Sequence, residues 1–304
     1  MSKKAFLFPG QGSQYIGMAK DLFDKSVEAK EMIKTADDAL GINLSYIMFN
    51  GPEDQLKQTE FTQPAIFLHS VILASIIRTL EPEGAAGHSL GEYSALVSAN
   101  SIQFYDAIKL VRARGKAMQQ AGIDNPGTLA AIVGLDPVQV ENICKEASVE
   151  GIVQCANFNS PGQIVISGSI PGVKKAMELC KANGARMVKE LVVSGAFHSA
   201  LMQSAKDALL EVLNSTPLYD SRFSVYANVT AMPVTEKDTI KDLLYQQVTS
   251  PVRWEETIKN MITDGFEEFY EIGPGKVLQG LVKRINPDIK IFGIDKFEDV
   301  EKYL

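Results

Sequence analysis

The chain has 304 residues, enough to bury a large core, and its 45% hydrophobic and 22% charged residues are ordinary for a folded, soluble protein. A formal net charge of -7 argues against a nucleic-acid binder that works by blanket electrostatics. Cys144, Cys155 and Cys180 are scattered without the company of a zinc site, and the most apolar stretch, residues 64–80, carries His69 and Arg78 and falls short of a membrane span. These features predict a cytoplasmic protein with no membrane segment and no structural zinc site.

In chain order, residues 5–8 read as a short buried strand broken by Pro9-Gly10-Gln11-Gly12, and helical patterning runs on to residue 80 with a turn at Gly51-Pro52. Residues 85–88 are a strand entering a tight turn, followed by helices over 90–98 and 104–121. The middle changes character. Strand 128–133, helix 137–147 capped by Asp136, strands 152–158 and 163–167 joined by a turn at 159–162, helix 173–182 and strand 186–192 follow one another. That order, βαββαβ, is the ferredoxin-like pattern. The first pattern then resumes: helix 199–213, strand 223–227, helices 238–248 and 254–263, strand 268–272, helix 276–285 and strand 289–294. Strands alternating with helices imply a mainly parallel sheet covered on both faces. The economical fold class is α/β: a large domain over residues 1–125 and 196–304, interrupted by a small α+β domain over 126–195.

Gly87-His88-Ser89-Leu90-Gly91 fits G-x-S-x-G between an expected strand and an expected helix. That setting would hold Ser89 in a sharp turn at a helix N-terminus, where free N–H groups favour developing negative charge. A serine needs a base, and the chain has three histidines. His69 sits in the apolar helix and reads as a core residue. His88 precedes the serine, should point away from it, and would line the pocket or donate a hydrogen bond. His198 remains, on a loop between a strand and a helix, where α/β folds place chemistry. No acid sits in a signature that marks it as the partner of His198, and a backbone carbonyl could orient the imidazole instead. Arg114 lies on an apolar helix between Arg112 and Lys116; its guanidinium could grip a carboxylate in a bidentate fork, or belong to a solvated face.

Taken together, these residues resemble the malonyl-CoA:acyl-carrier-protein transacylases of bacterial fatty acid synthesis. The resemblance covers essentially the whole chain. It runs through Phe8-Pro9-Gly10-Gln11-Gly12-Ser13-Gln14, Gly87-His88-Ser89-Leu90-Gly91-Glu92, Arg114-Gly115-Lys116-Ala117-Met118-Gln119 and Asn157-Phe158-Asn159-Ser160-Pro161-Gly162-Gln163. It continues in Gly195-Ala196-Phe197-His198-Ser199, Pro251-Val252-Arg253-Trp254 and Glu271-Ile272-Gly273-Pro274-Gly275. It implies a hydrolase-like large domain around a ferredoxin-like small one, with the site in the cleft between them. It implies Ser89 as the acylated nucleophile and His198 as base and acid, oriented by the carbonyl of Gln247. It further implies an oxyanion hole from the N–H groups of Gln11 and Leu90, Arg114 on the malonyl carboxylate, and Phe197 in the malonyl-preferring form. The implied partners are malonyl-CoA and acyl carrier protein, and the implied acyl exchange calls for no metal and no redox cofactor.

Two other readings use the same residues. An esterase or thioesterase would deliver the acyl group to water, but such hydrolases more often place an acid between serine and histidine, and Arg114 would have no role. A noncatalytic carrier-binding subunit would not need Ser89, His198 and Arg114 together. Arg112, Lys116, Lys174, Lys175, Arg186 and Lys189 are candidates, by charge alone, for docking an acidic carrier.

Overall fold

Strand β1 (Lys3–Phe8) sends alternate side chains into two cores, Phe6 and Phe8 into one and Ala5 and Leu7 into the other. Burial on both faces is what a central strand of a parallel sheet requires. The computed structural model describes residues 2–191 and 193–304; Met1 and Val192, the last residue expected in strand 186–192, lie outside the described residues.

After β1 come α1 (Lys20–Lys25), α2 (Val27–Leu40), α3 (Leu44–Asn50), α4 (Glu53–Leu56) and α5 (Thr59–Ile76), then β2 (Gly84–Gly87), α6 (Gly91–Ser98) and α7 (Phe104–Asp124). The middle of the chain supplies β3 (Gly127–Val133), α8 (Pro137–Ala147), β4 (Val153–Ser160), β5 (Gln163–Ser169), α9 (Ile170–Ala182) and β6 (Met187–Leu191). It returns through α10 (Gln203–Ser215), β7 (Ser224–Tyr226), β8 (Pro233–Val234), α11 (Lys237–Gln247) and α12 (Trp254–Thr263). It closes with β9 (Phe266–Ile272), α13 (Val277–Ile285), β10 (Lys290–Ile294) and α14 (Phe297–Val300).

Two sheets result. The first has the order β10-β9-β1-β2-β7-β8, parallel throughout except for the edge strand β8. The second, β4-β5-β3-β6, is antiparallel. The mixed α/β class with a mainly parallel sheet is therefore as expected. In the second sheet Ala130, Ile132, Ile164 and Ile166 pack with Val140, Val173 and Ala176 of α8 and α9, whereas Leu129 and Val165 face the opposite way. The chain leaves the first sheet after α7 and returns beside itself: a Cβ on Gly122 would stand 2.1 Å from the Ser194 carbonyl oxygen. Among the described residues no helix is long and apolar enough to cross a membrane.

Three local differences from the sequence reading have physical causes. The turn expected at 159–162 is tighter, since β4 reaches Ser160 and β5 starts at Gln163, with Gly162 at φ +66° as a two-residue hairpin turn favours. Asn159 falls where the β4–β5 register shifts, and such a bulge re-aims a side chain. The helix expected from residue 199 opens as a 3-10 turn at Ala200–Met202, because the Ser199 hydroxyl accepts from the Leu201 N–H two residues on.

Candidate active site

β2 ends in a turn that only small flanking residues permit. A Cβ on Gly87 would lie 1.9 Å from the Gly91 carbonyl carbon, and one on Gly91 would lie 2.1 Å from the Phe8 carbonyl oxygen. Between them Ser89 is held at φ +51°, a left-handed conformation costly for a residue with a Cβ. The turn is pinned from outside: the Ser89 N–H donates to Asn228 Oδ1 at 2.7 Å, and Asn228 Nδ2 donates to the Gly87 carbonyl at 2.6 Å.

His198 is also in the left-handed region, at φ +57°. Its Nδ1 lies 3.0 Å from the Gln247 carbonyl oxygen and 3.1 Å from that of Ser250. Carbonyls only accept, so Nδ1 carries the proton and Nε2 is left to accept from the Ser89 hydroxyl at 2.8 Å. Burial, and secondarily the neighbouring Arg114 charge, push the imidazole pKa down to about 3, so His198 is neutral at physiological pH.

Arg114, on α7, is only 1% exposed, which excludes a solvated helix face. Its guanidinium donates to Gln63 Oε1 at 2.7 Å, to Gln247 Oε1 at 3.0 Å and to Ser89 Oγ at 3.1 Å, and lies 5.4 Å from the Tyr93 ring. No carboxylate pairs with it directly among the described residues; Glu92 is the carboxylate whose charge acts on it. Its neighbour Arg112 pairs with Glu60 at 2.7 Å and stacks 4.4 Å from the Phe61 ring, so it is not a free docking cation, whereas Lys116, Lys174, Arg186 and Lys189 are exposed.

A cleft of about 250 Å³ gathers Gln11, His88, Ser89, Leu90, Arg114, Phe197 and His198, with Leu129 and Val165 of the second sheet as the opposite wall. Every site residue predicted from sequence is thus in or against one cavity, Gln247 through its contacts to His198 and Arg114. His88 turns away from Ser89, as expected of its place in the turn, and its Nε2 lies 2.8 Å from Asn159 Oδ1 at the β4 bulge. The N–H groups of Gln11 and Leu90 donate to no other group among the described residues. His69 lies elsewhere, fully buried.

The family described as acyl transferase domain matches residues 5–289. A malonyl CoA-acyl carrier protein transacylase from Bacillus subtilis is 45% identical, covering 99% of this chain and 96% of its own length. An acyl-carrier-protein-S-malonyltransferase from Bartonella henselae, known from its crystal structure, superposes with a TM-score of 0.96 at 43% identity, covering 99% of this chain and 98% of that one. A malonyl-transacylase solved in complex with a type II PKS acyl-carrier protein superposes at 0.95 with 39% identity, covering 100% of this chain and 99% of its own. The chain belongs to the malonyl CoA-acyl carrier protein transacylase family.

It is therefore an acyltransferase, and its site rests on a buried residue to which the sequence analysis gives no role. Glu92 ends the elbow motif, yet its side chain is buried beneath the site, where Oε2 accepts from the Asn228 N–H at 2.9 Å and from Gln247 Nε2 at 2.8 Å. Gln247 Nε2 also donates to the Ser89 carbonyl at 3.1 Å. One carboxylate thereby joins the segment that pins the elbow to the residue whose carbonyl faces His198. Burial raises the Glu92 carboxyl to about 7. A glutamate following a G-x-S-x-G turn was the available signal, but nothing in the pattern distinguishes a buried hub from a helix-opening acid.

Proposed function

We propose that this transacylase carries a malonyl group from malonyl-CoA to the pantetheine thiol of an acyl carrier protein, through an ester on Ser89, in fatty acid biosynthesis. The observation that carries the reading is a fully buried arginine, without a carboxylate partner among the described residues, 3.1 Å from the nucleophilic oxygen. A malonyl thioester supplies the carboxylate that such a cation lacks. An acetyl group would leave the charge unpaired, at a cost of several kcal/mol.

His198 takes the Ser89 proton on Nε2 as Oγ attacks the thioester carbonyl, and the N–H groups of Gln11 and Leu90 receive the oxyanion. Collapse breaks the C–S bond, and the departing coenzyme A sulfur takes the proton back from Nε2. The carrier's thiol then enters by the reverse route: its proton passes to His198, its sulfur attacks the ester, and Ser89 Oγ recovers the proton. The carbonyls of Gln247 and Ser250 hold the imidazole in its reactive tautomer throughout. Pairing of Arg114 with the malonyl carboxylate offsets the charge that depresses the His198 pKa, so the base strengthens when the correct substrate is bound. His88 and Phe197 shape the cleft around the acyl group.

Residues 1–125 and 196–304 form the hydrolase-like acyltransferase domain in this reading, and 126–195 the ferredoxin-like one. The order β4-β5-β3-β6 with antiparallel neighbours, and both helices on one face, supports the latter assignment. Three unpaired, buried cysteines fit a reducing cytoplasm, where we place the protein.

Intact-protein mass after brief mixing with malonyl-CoA tests the proposal. A malonyl-sized adduct that requires Ser89 and discharges to carrier protein is expected. An adduct lost to water at the same rate with or without carrier would identify a hydrolase, and no adduct would leave only a carrier-binding subunit.

A further inference from the structure

The edge strand of the second sheet is joined to the segment that faces His198. The Val252 N–H donates to the Ala156 carbonyl at 2.8 Å, the Phe158 N–H donates to the Val252 carbonyl at 2.9 Å, and Asn157 and Val252 form a parallel bridge. This segment carries the Gln247 and Ser250 carbonyls that hold His198 Nδ1. One side chain on β4 reaches both parts of the arrangement. Gln154 Nε2 donates to the carbonyl of His198 itself at 3.0 Å and to that of Thr249 at 3.3 Å, while its Oε1 accepts from the Ala200 N–H at 3.3 Å.

We propose that Gln154 is the positioning residue through which the second sheet sets the base: its amide ties the backbone of His198 to the segment whose carbonyls orient that histidine. The need for a tie follows from the backbone. His198 sits at φ +57°, a conformation that persists only where the surroundings over-determine it. Before it on the loop Ala196 and Phe197 are buried and apolar, and after it the Ser199 hydroxyl donates to the Ala196 carbonyl at 2.6 Å, a tie within the loop that does not reach the segment facing His198. An amide that donates to the His198 carbonyl and accepts from the Ala200 N–H restrains the two peptides that follow His198 in both senses. A side chain of the same length without that donor would fill the space and leave the loop free to turn. The inference rests on His198 acting as the base, and it makes β4 part of the catalytic apparatus although Gln154 touches neither Ser89 nor the acyl group.

The test uses Gln154→Leu and Gln154→Glu in the full chain, with His198→Ala beside them. The readouts are kcat and KM for malonyl transfer, and the rate at which a sulfonyl fluoride modifies Ser89, each normalised to the folded fraction from circular dichroism. Gln154→Glu keeps the size and the acceptor but sets a carboxylate against two carbonyl oxygens, so it separates the hydrogen bonds from the packing if Gln154→Leu folds poorly. Expected is a fall of about 10- to 100-fold in kcat and in Ser89 modification for both variants, with KM for malonyl-CoA within about threefold. Rates within about threefold of the parent per folded molecule, with His198→Ala inactive, would overturn the positioning role and leave the base assignment standing. An active His198→Ala would remove the base assignment itself.

Discussion

Two buried histidines of this chain sit beside oxygen acceptors, and they are wired in opposite senses. His69 presents Nε2 to the Asp295 main-chain carbonyl at 2.7 Å, so the proton is on Nε2, and Nδ1 finds no partner among the described residues. The Asp295 carboxylate stands 3.3 Å away and also receives the Tyr15 hydroxyl at 2.9 Å. His198 has no carboxylate partner among the described residues. Its proton is on Nδ1, shared by two carbonyls, and its free Nε2 faces a serine in an open cleft. A search for an acid near a histidine would choose His69. The difference teaches that a tautomer can be set without an acid: in the proposed reaction the base needs its unprotonated nitrogen aimed at a proton it can take, and carbonyls orient the ring for that, with less electrostatic support for the imidazolium than a carboxylate gives.

The sharpest way to break this contrast is to remove each imidazole in turn. His198→Ala, like Ser89→Ala, should lower the rate of malonyl-enzyme formation about 10⁴-fold or more in rapid-quench assays. His69→Gln should leave that rate within about threefold while lowering the thermal midpoint, since it disturbs a packed core contact and no step of the reaction. Arg114→Ala should collapse the discrimination of malonyl-CoA over acetyl-CoA by about 100-fold in kcat/KM, read as competing acyl adducts by mass. Asn228→Ala removes the partner of the Ser89 N–H and of the Gly87 carbonyl, and should cost about 1–3 kcal/mol in urea unfolding with kcat falling further than KM rises. The smallest effect concerns Glu92. Burial holds its carboxyl at about 7 rather than 4.5, so folding favours the protonated form, and that contribution is lost as pH rises through 7. Glu92→Gln cannot ionise, so its thermal midpoint relative to the parent chain should rise by a few degrees between pH 5 and pH 8. A difference that is flat with pH would show that Glu92 does not titrate there.

Much of the fold could be read from sequence because it depends on local choices. Asp136 before Pro137 does cap α8, with Gln139 completing a capping box, and the strands of the second sheet follow in the order the periodicity gave. The short antiparallel strand Pro233–Val234 was missed, two residues being too few to show a period. In the site, Gly87 and Gly91 were legible because steric demand leaves a mark in residue type. Asn228, Gln63 and Gln154 were not. Each acts through one amide group on a partner 44 or more residues away, and a lone amide carries no periodicity, charge pattern or spacing. Gln247 was reachable only through the family resemblance, since its contact to His198 uses a main-chain oxygen that any residue could supply.

The close approach of Gly122 to Ser194 has a consequence for how such a chain could be remodelled. The two ends of the excursion that builds the second sheet meet at one backbone crossing, and the entropy of closing it grows only with the logarithm of its length. An alternative excursion with the same footprint could be grafted there without reordering the parallel strands. The graft would keep the serine turn intact and would have to bring its own amide to the histidine loop. Chimeras built at this crossing would therefore separate folding competence from turnover, and would show how much of an acyltransferase's choice of partner travels with the exchanged piece.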